Sequence, residues 1–273
     1  MSGRPAPVDA RDLSIVIPHR ADMPERRENL AAALTHLSRT LTGAEILLLE
    51  DGPAPEAAGL PRPAGLIHVA TVNRGPIHRT RLLNRGVEAL ASRPFAASWD
   101  TDVLVFPEAV AEALALLRGG AGLAYPHDGR FVDLRGAARR AVLERASLHA
   151  LPPLPVRQSL LPFGRSVVCL HDASVGGAVL FDREAFRRAG GYHEGFRARG
   201  FEDAEIRERM EKLGVRAARA AGWPLIHLSH PRRHWRGDWH RGARRNRALY
   251  RRMAALGRAE IEALEAAGAL REG

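Results

Sequence analysis

The chain predicts an α/β fold, a mostly parallel central sheet with helices on both faces and a basic helical tail at the C-terminus. Three observations carry that prediction. Short, nearly continuous apolar runs alternate with segments of helical spacing, and strands buried on both faces read that way. Two of those runs stop at acids, Glu50-Asp51-Gly52 and Asp100-Thr101-Asp102. In open parallel sheets, ligands bind at the carboxyl ends of the strands. The 273 residues, 45% hydrophobic and 26% charged, suffice for one large core or two small ones.

The elements follow in order. Residues 13–18 form a buried strand closed by Pro18. Residues 25–41 have helical spacing through Leu30, Ala33, Leu34, Leu37 and Leu41, and Gly43 ends the helix. Residues 45–49 are a second strand, and 67–70 a weaker third. A helix spans 78–90, and the strand 94–99 delivers Asp100. The second half is less regular. Residues 128–165, with an arginine-rich helix over 136–148 and a proline-rich stretch over 151–162, read as an inserted, substrate-facing region rather than core. Residues 174–181 form a strand entered through Gly176-Gly177. Helices follow over 183–189 and 202–213, stopped by Gly190-Gly191 and Gly214. Residues 241–270 carry a rough apolar stripe through Leu249, Met253, Leu256, Ile261 and Leu264, which predicts a further helix.

Several groupings carry chemistry. Asp100 and Asp102, at i and i+2, can share a hard divalent cation with a diphosphate, although an acidic turn has the same composition. Arg79 and Arg81 follow Pro76 at a helix start, where cations and free N–H groups suit a phosphate; a polar helix face is the other reading. Glu202 and Asp203 open a helix. Acids there complement the helix dipole, and an Asp entering a cleft can also act as a general base. Gly176 and Gly177 suit either close approach to a ligand or a β-bulge. In Leu225-Ile226-His227-Leu228-Ser229-His230, period 2 separates His227 from His230 unless the strand has ended.

Charge and cysteine content narrow the setting. The formal net charge is +10, and residues 231–258 hold ten arginines against one acid, Asp238. That stripe suits phosphates, anionic lipid or a solvated face. Nucleic acid is not expected, since no such motif accompanies the stripe and aromatic residues make up only 5%. Cys169 is the only cysteine, so no intramolecular disulfide forms. With no apolar leader and no run of about 20 apolar residues, a cytoplasmic protein is expected, with peripheral contact at the inner membrane face through the tail as a further expectation.

In this order the motifs resemble those of the GT-A-fold glycosyltransferases, a Rossmann-like class. The nearest groups are inverting family 2 and the β-1,4-galactosyltransferase C-terminal-domain group. Pro18 and Arg20 at the first strand resemble the nucleotide-binding opening, and Asp51 the acidic turn that meets the nucleoside. Residues 79–86, Arg-Thr-Arg-Leu-Leu-Asn-Arg-Gly, resemble the galactosyltransferase helix Arg-Ala-Lys-Leu-Leu-Asn-x-Gly. Asp100-Thr101-Asp102 stands where the Asp-x-Asp metal motif does. Gly176-Gly177 followed by Phe201-Glu202-Asp203 resembles the run from a Gly-Gly strand to the base motif, and His230 the late metal-ligating histidine. The base motif departs from Gly-Glu-Asp-Asp-Asp, and Arg197, Arg199 and Gly200 stand where tryptophans are usual.

The resemblance implies an inverting, metal-dependent transfer from a nucleotide-sugar, a UDP-sugar, to a hydroxyl acceptor that is a saccharide, a lipid-linked molecule or a natural product. It implies Asp203 as base with Glu202 beside it, and Asp100, Asp102 and His230 on Mn²⁺ or Mg²⁺. Pro18, Arg20, Asp51, Arg79, Arg81, Asn84, Asp100, Gly176 and Gly177 would line the donor. Residues 1–231 would be the catalytic domain, with 13–127 the nucleotide half and 128–231 the acceptor half. Residues 232–273 would be an arginine-rich flap and helix. A non-catalytic scaffold that uses the basic tail and a sugar-nucleotide pyrophosphorylase are the alternatives. The latter usually needs a glycine-rich loop where Pro18-His19-Arg20 stands.

Overall fold

A computed structural model describes residues 6–56, 59–145, 147–148, 151, 167–197, 200–231 and 238–271. The first half opens with β1 (Val8–Asp9), β2 (Leu13–His19), α1 (Pro24–Thr40), β3 (Leu41–Thr42), β4 (Glu45–Gly52) and β5 (Leu66–Val72). After α2 (Arg79–Arg85) and a π-helical turn (Gly86–Leu90) come β6 (Phe95–Trp99), β7 (Val103–Leu104), α3 (Pro107–Arg118) and β8 (Leu123–Tyr125). All seven residues of β2 are buried, which explains the apolar run Ile15-Val16-Ile17-Pro18 at its centre. Ile15 and Ile17 enter the core shared with α1 and α3, and Val16 the core shared with α2. Pro24 and Pro107 begin α1 and α3, where a missing N–H leaves no bond unmade.

The helix expected over 78–90 is α-helical only to Arg85. A Cβ on Gly86 would lie 2.3 Å from Val16 Cγ1, so the chain passes close over β2 there and continues as the π turn. The second half holds β9 (Phe131–Leu134), α4 (Gly136–Arg145), β10 (Val167–His171), β11 (Ala178–Asp182), α5 (Arg183–Arg188), α6 (Glu202–Lys212), β12 (Ala217–Arg219) and β13 (Leu225–Leu228), followed by α7 (Asp238–Ala255) and α8 (Arg258–Ala266).

Seven strands make the main sheet, in the order β12-β8-β11-β6-β2-β4-β5. The run from β6 to β5 is parallel, and β11 is antiparallel to both its neighbours. A second sheet, β10-β9-β13-β7, stands beside it, and β1 and β3 form a short parallel pair.

Three expectations need correction. Residues 128–165 are not wholly an insertion outside the core, because Val132 and Leu134 of β9 are fully buried and β9 lies inside the second sheet. Of the proline-rich stretch, only Leu151 is among the described residues. The strand expected from Ser174 begins at Ala178. Gly177, at φ +88°, turns the chain before it. The helix expected over 241–270 is two helices, broken at Gly257, whose N–H donates to Glu260 Oε2 at 2.7 Å.

Candidate active site

Asp100 leaves the carboxyl end of β6, and its N–H donates to the Gly177 carbonyl at 2.8 Å. Two residues on, Asp102 precedes β7 of the second sheet, and its carbonyl accepts from Leu228 N–H at 2.8 Å. The two acids of the motif therefore belong to different surroundings.

Asp102 faces histidines. Its Oδ2 lies 3.1 Å from His230 Nε2 and 3.6 Å from His227 Nε2. Because β13 ends at Leu228, His230 swings back to the side of His227. His227 Nδ1 meets Asp133 Oδ1 at 2.7 Å, an outer carboxylate that aims the other ring nitrogen at Asp102. Burial alone would lower the His227 pKa. The hydrogen bonds and charges of Asp102 and Asp133 outweigh burial and lift it to about 9. The Asp102 carboxyl is held well below its usual range: burial works against this, but both histidines favour its ionised form. Ligand atoms of Asp102, His227 and His230 lie within 4.8 Å of one another. One carboxylate and two imidazoles, one already braced from behind, fit a divalent transition-metal ion, which would take the place of the proton shared there. Asp100 is not in this group.

Asp100 instead meets Arg79, the first residue of α2. Its Oδ1 accepts from Arg79 Nη2 at 2.9 Å and Nε at 3.2 Å. The same guanidinium lies 3.3 Å from Asp203 Oδ1, 3.4 Å from Glu202 Oε1 and 3.2 Å from Ser98 Oγ. One cation thus spans three carboxylates. Burial works against the Arg79 charge, yet Asp100, Asp203 and Glu202 overcome it and hold the group protonated well above its ordinary range. Burial, then the neighbouring Asp203, raises the Glu202 pKa to about 7 against the pull of Arg79, and Glu202 Oε2 is buried with no hydrogen-bond partner. Asp203 Oδ1 also accepts from the Tyr192 hydroxyl at 3.2 Å. Its Oδ2 fills the space over Gly176, where a Cβ would lie 2.3 Å away.

The remaining sequence-derived residues fall into three sets. Asp51, at the end of β4, accepts from Asn73 Nδ2 at 2.8 Å. Arg20, just past β2, donates to the carbonyls of Gly75 and Asn73, and Pro18 lies inside β2 in register with Leu49. These line the first sheet edge together. Asn84 and Gly177 turn inward. Asn84 Nδ2 donates to the Tyr192 carbonyl at 2.8 Å and its Oδ1 accepts from Tyr192 N–H at 2.7 Å, while a Cβ on Gly177 would press on Leu225. Arg81 is exposed and bonded to Glu194. Sequence reasoning gave no role to Asp133 or Ser98, which carry no motif, and took Tyr192 only as part of the Gly190-Gly191-Tyr192 resemblance; Asp133 meets His227 across 94 residues of chain. A cavity of about 560 Å³ lies away from this site, at the other edge of the sheet, between Gly120, Asp182, Arg188 and Arg216.

A family model described as the N-terminal domain of galactosyltransferase matches residues 170–232, the stretch that runs from β10 through the glycine pair and α6 to His230. No curated protein matches the chain. Three solved structures show the fold. The catalytic domain of Drosophila β1,4-galactosyltransferase 7, in complex with xylobiose, is 18% identical, with 84% of this chain and 74% of that one covered and a TM-score of 0.50. Glucosyl-3-phosphoglycerate synthase from Mycobacterium tuberculosis, in complex with Mn²⁺, UDP and phosphoglyceric acid, is 15% identical over 90% of this chain and 80% of its own, TM-score 0.51. S. aureus TarS 1–349 in complex with UDP-GlcNAc is 12% identical over 94% and 71%, TM-score 0.54.

The fold is that of the GT-A glycosyltransferases, and together with the matched segment it supports a glycosyltransferase. It resembles the β-1,4-galactosyltransferase group, and does so most closely over residues 170–232, which hold Gly176, Asp203 and His230.

Proposed function

We propose that the protein moves a sugar from a nucleotide-sugar, a UDP-sugar, to an acceptor hydroxyl by single displacement, with inversion at the anomeric carbon and Asp203 as the general base. The observation that carries this reading is the span of Arg79, which joins Asp100 of the Asp-x-Asp pair to Asp203 of the matched segment. A carboxylate suited to deprotonating an acceptor therefore stands one guanidinium away from the place where a donor diphosphate would be gripped.

In this reading the nucleoside lies along the ends of β2 and β4, against Pro18, Arg20 and Asp51. Asp102, His230 and His227 would hold the cation, whose chemistry is to neutralise charge on the leaving diphosphate. Two imidazoles suit Mn²⁺ better than Mg²⁺, which prefers oxygen ligands. Asp203 accepts the acceptor's proton. Arg79 and the Tyr192 hydroxyl both engage Oδ1 and fix the carboxylate plane, so Oδ2, over Gly176, is the oxygen assigned to the proton. Residues 13–127 form the nucleotide half and 128–231 the acceptor half. The acceptor is a saccharide, a lipid-linked molecule or a natural product. The setting is cytoplasmic; among the described residues no helix is long and apolar enough to cross a membrane.

The test is turnover of UDP-sugars with and without Mn²⁺, followed by two variants. Asp203→Asn is expected to lower transfer by on the order of 10²–10⁴ and to leave donor binding intact. Asp102→Asn is expected to abolish Mn²⁺-dependent stabilisation by UDP, read as a thermal shift. Retention of configuration in the product, read by NMR, would overturn single displacement. Unchanged Mn²⁺ dependence in Asp102→Asn would overturn the ligand assignment.

A further inference from the structure

Helix α7 lies beyond the segment that resembles galactosyltransferase, yet it is fastened to the start of α6. Asn246, fully buried, makes the main fastening. Its Nδ2 donates to the Arg197 carbonyl at 2.8 Å and to the Gly200 carbonyl at 3.1 Å, and its Oδ1 accepts from Arg197 N–H at 3.3 Å. One side chain thus holds backbone at Arg197 and at Gly200, the residue immediately before Phe201, Glu202 and Asp203.

That turn needs holding. Phe201, at φ +75°, is the only non-glycine residue at positive φ among the described residues, a conformation that a bulky side chain adopts only when its surroundings impose it. The Tyr250 ring packs against the Phe201 ring at 5.4 Å, and the Arg247 guanidinium lies 5.8 Å over it. Farther along, the Tyr250 hydroxyl donates to Glu208 Oε2 at 2.8 Å. Lys212, the only lysine in the chain, donates to the Ala254 carbonyl at 2.6 Å. Helix α7 therefore splints α6 from its first turn to its last. On the α2 side, Asn84 holds the Tyr192 backbone in the same two-sided way. Two buried asparagines bracket the segment that carries the Asp203 carboxylate and its Tyr192 partner.

We propose that Asn246 is a positioning residue for transfer: it imposes the left-handed turn at Phe201 and so fixes the Asp203 carboxylate over Gly176. This rests on Asp203 being the base, and it adds that the C-terminal helix is part of the acceptor-side machinery while donor binding is independent of it.

The test uses the full chain with Asn246→Ala, and Arg245→Ala on the exposed face of α7 as the control. In Asn246→Ala, kcat for transfer should fall 10–100-fold, and the KM for the UDP-sugar and the UDP–Mn²⁺ thermal shift should stay within about twofold. Arg245→Ala should match the wild type. Hydrogen exchange supplies a readout that needs no turnover. The Glu205 amide, which donates to the Phe201 carbonyl at 2.9 Å, should exchange at least tenfold faster in Asn246→Ala. Replacing Phe201 by Gly in the Asn246→Ala background should recover part of kcat, because glycine adopts the turn unaided. Equal exchange of Glu205 in wild type and Asn246→Ala, or a parallel loss of donor binding, would overturn the proposal. Faster exchange with no transfer by any form would retain the clasp and overturn the role of Asp203 instead.

Discussion

At the scale of single residues, Arg79 decides the electrostatics of the site. It is the common partner of Asp100, Asp203 and Glu202, of which Glu202 is buried, Asp203 mostly so and Asp100 more than a third exposed. Removing one member of such a group leaves charge buried and unopposed, which typically costs about 3–5 kcal/mol. Arg79→Met is therefore expected to lower stability by that order in chemical denaturation at pH 7.5, with a smaller loss at pH 4, where Glu202 is protonated. Glu202 makes a second, signed prediction for the metal-free protein. Its folded pKa, about 7, lies above its ordinary value of 4.5, so the fold favours the protonated form. Its stabilising contribution is complete below pH 4.5 and is lost as pH rises to about 7. Glu202→Gln should match the wild type near pH 4 and melt higher at pH 8; equal melting at both pH values would refute the shift. From the sequence, Arg79 is only a cation at a helix start. Its partners stand 21 and 124 residues away, and no local pattern encodes such pairings.

At the scale of elements, the parts read from the sequence are those with local causes. The centres of β2 and β4 are apolar because both faces are covered, and α1 and α3 begin at prolines. The parts misread have tertiary causes. The strand expected from Ser174 is shortened because Gly176 and Gly177 leave room for Asp203 and Leu225, and Gly177 turns the chain before Ala178. The change from α to π after Arg85 answers to Val16, 70 positions earlier in the chain. Gly86→Ala would ordinarily favour a helix. Here its methyl would lie 2.3 Å from Val16 Cγ1, and overpacking of this kind costs about 1–3 kcal/mol. A lower urea midpoint with an unchanged slope is the expected result, and a rise in midpoint would show that the close approach is not what selects glycine.

At the scale of the whole molecule, burial has left histidines neutral. The pKa of His127 is lowered to about 3 and that of His19 to about 4, in each case chiefly by burial, and His78, His171 and His193 shift the same way. A depressed histidine contributes stability above its unfolded value of 6.5, and that contribution disappears as pH falls through the folded value. His227, with its raised pKa, and Glu202 act in the opposite sense, but the depressed group outnumbers them. The melting temperature should therefore fall steadily from pH 6.5 towards pH 4. A His127→Asn variant should lose part of that slope, by at most a few kcal/mol between the extremes. The main sheet's parallel half was legible because its strands and helices alternate along the chain. The second sheet was not, because β9 and β13 pair in register, Asp133 beside His227, with most of the second half of the fold between them.

The position of Thr101 has one more consequence. Asp100 follows the last residue of a main-sheet strand and Asp102 precedes the first residue of one in the second sheet, so Thr101 is the middle of a short joint between two slabs of backbone. Histidines and Asp102 travel with one slab; Arg79, Asp100 and Asp203 travel with the other. Under the proposed function, the distance from the cation site to Asp203 would follow the angle between those slabs, which the apolar side chains at their seam set. Substitutions at that seam, such as at Leu225 beneath Gly177, would act as a vernier on substrate length, altering which acceptors fit without touching a polar atom of the site.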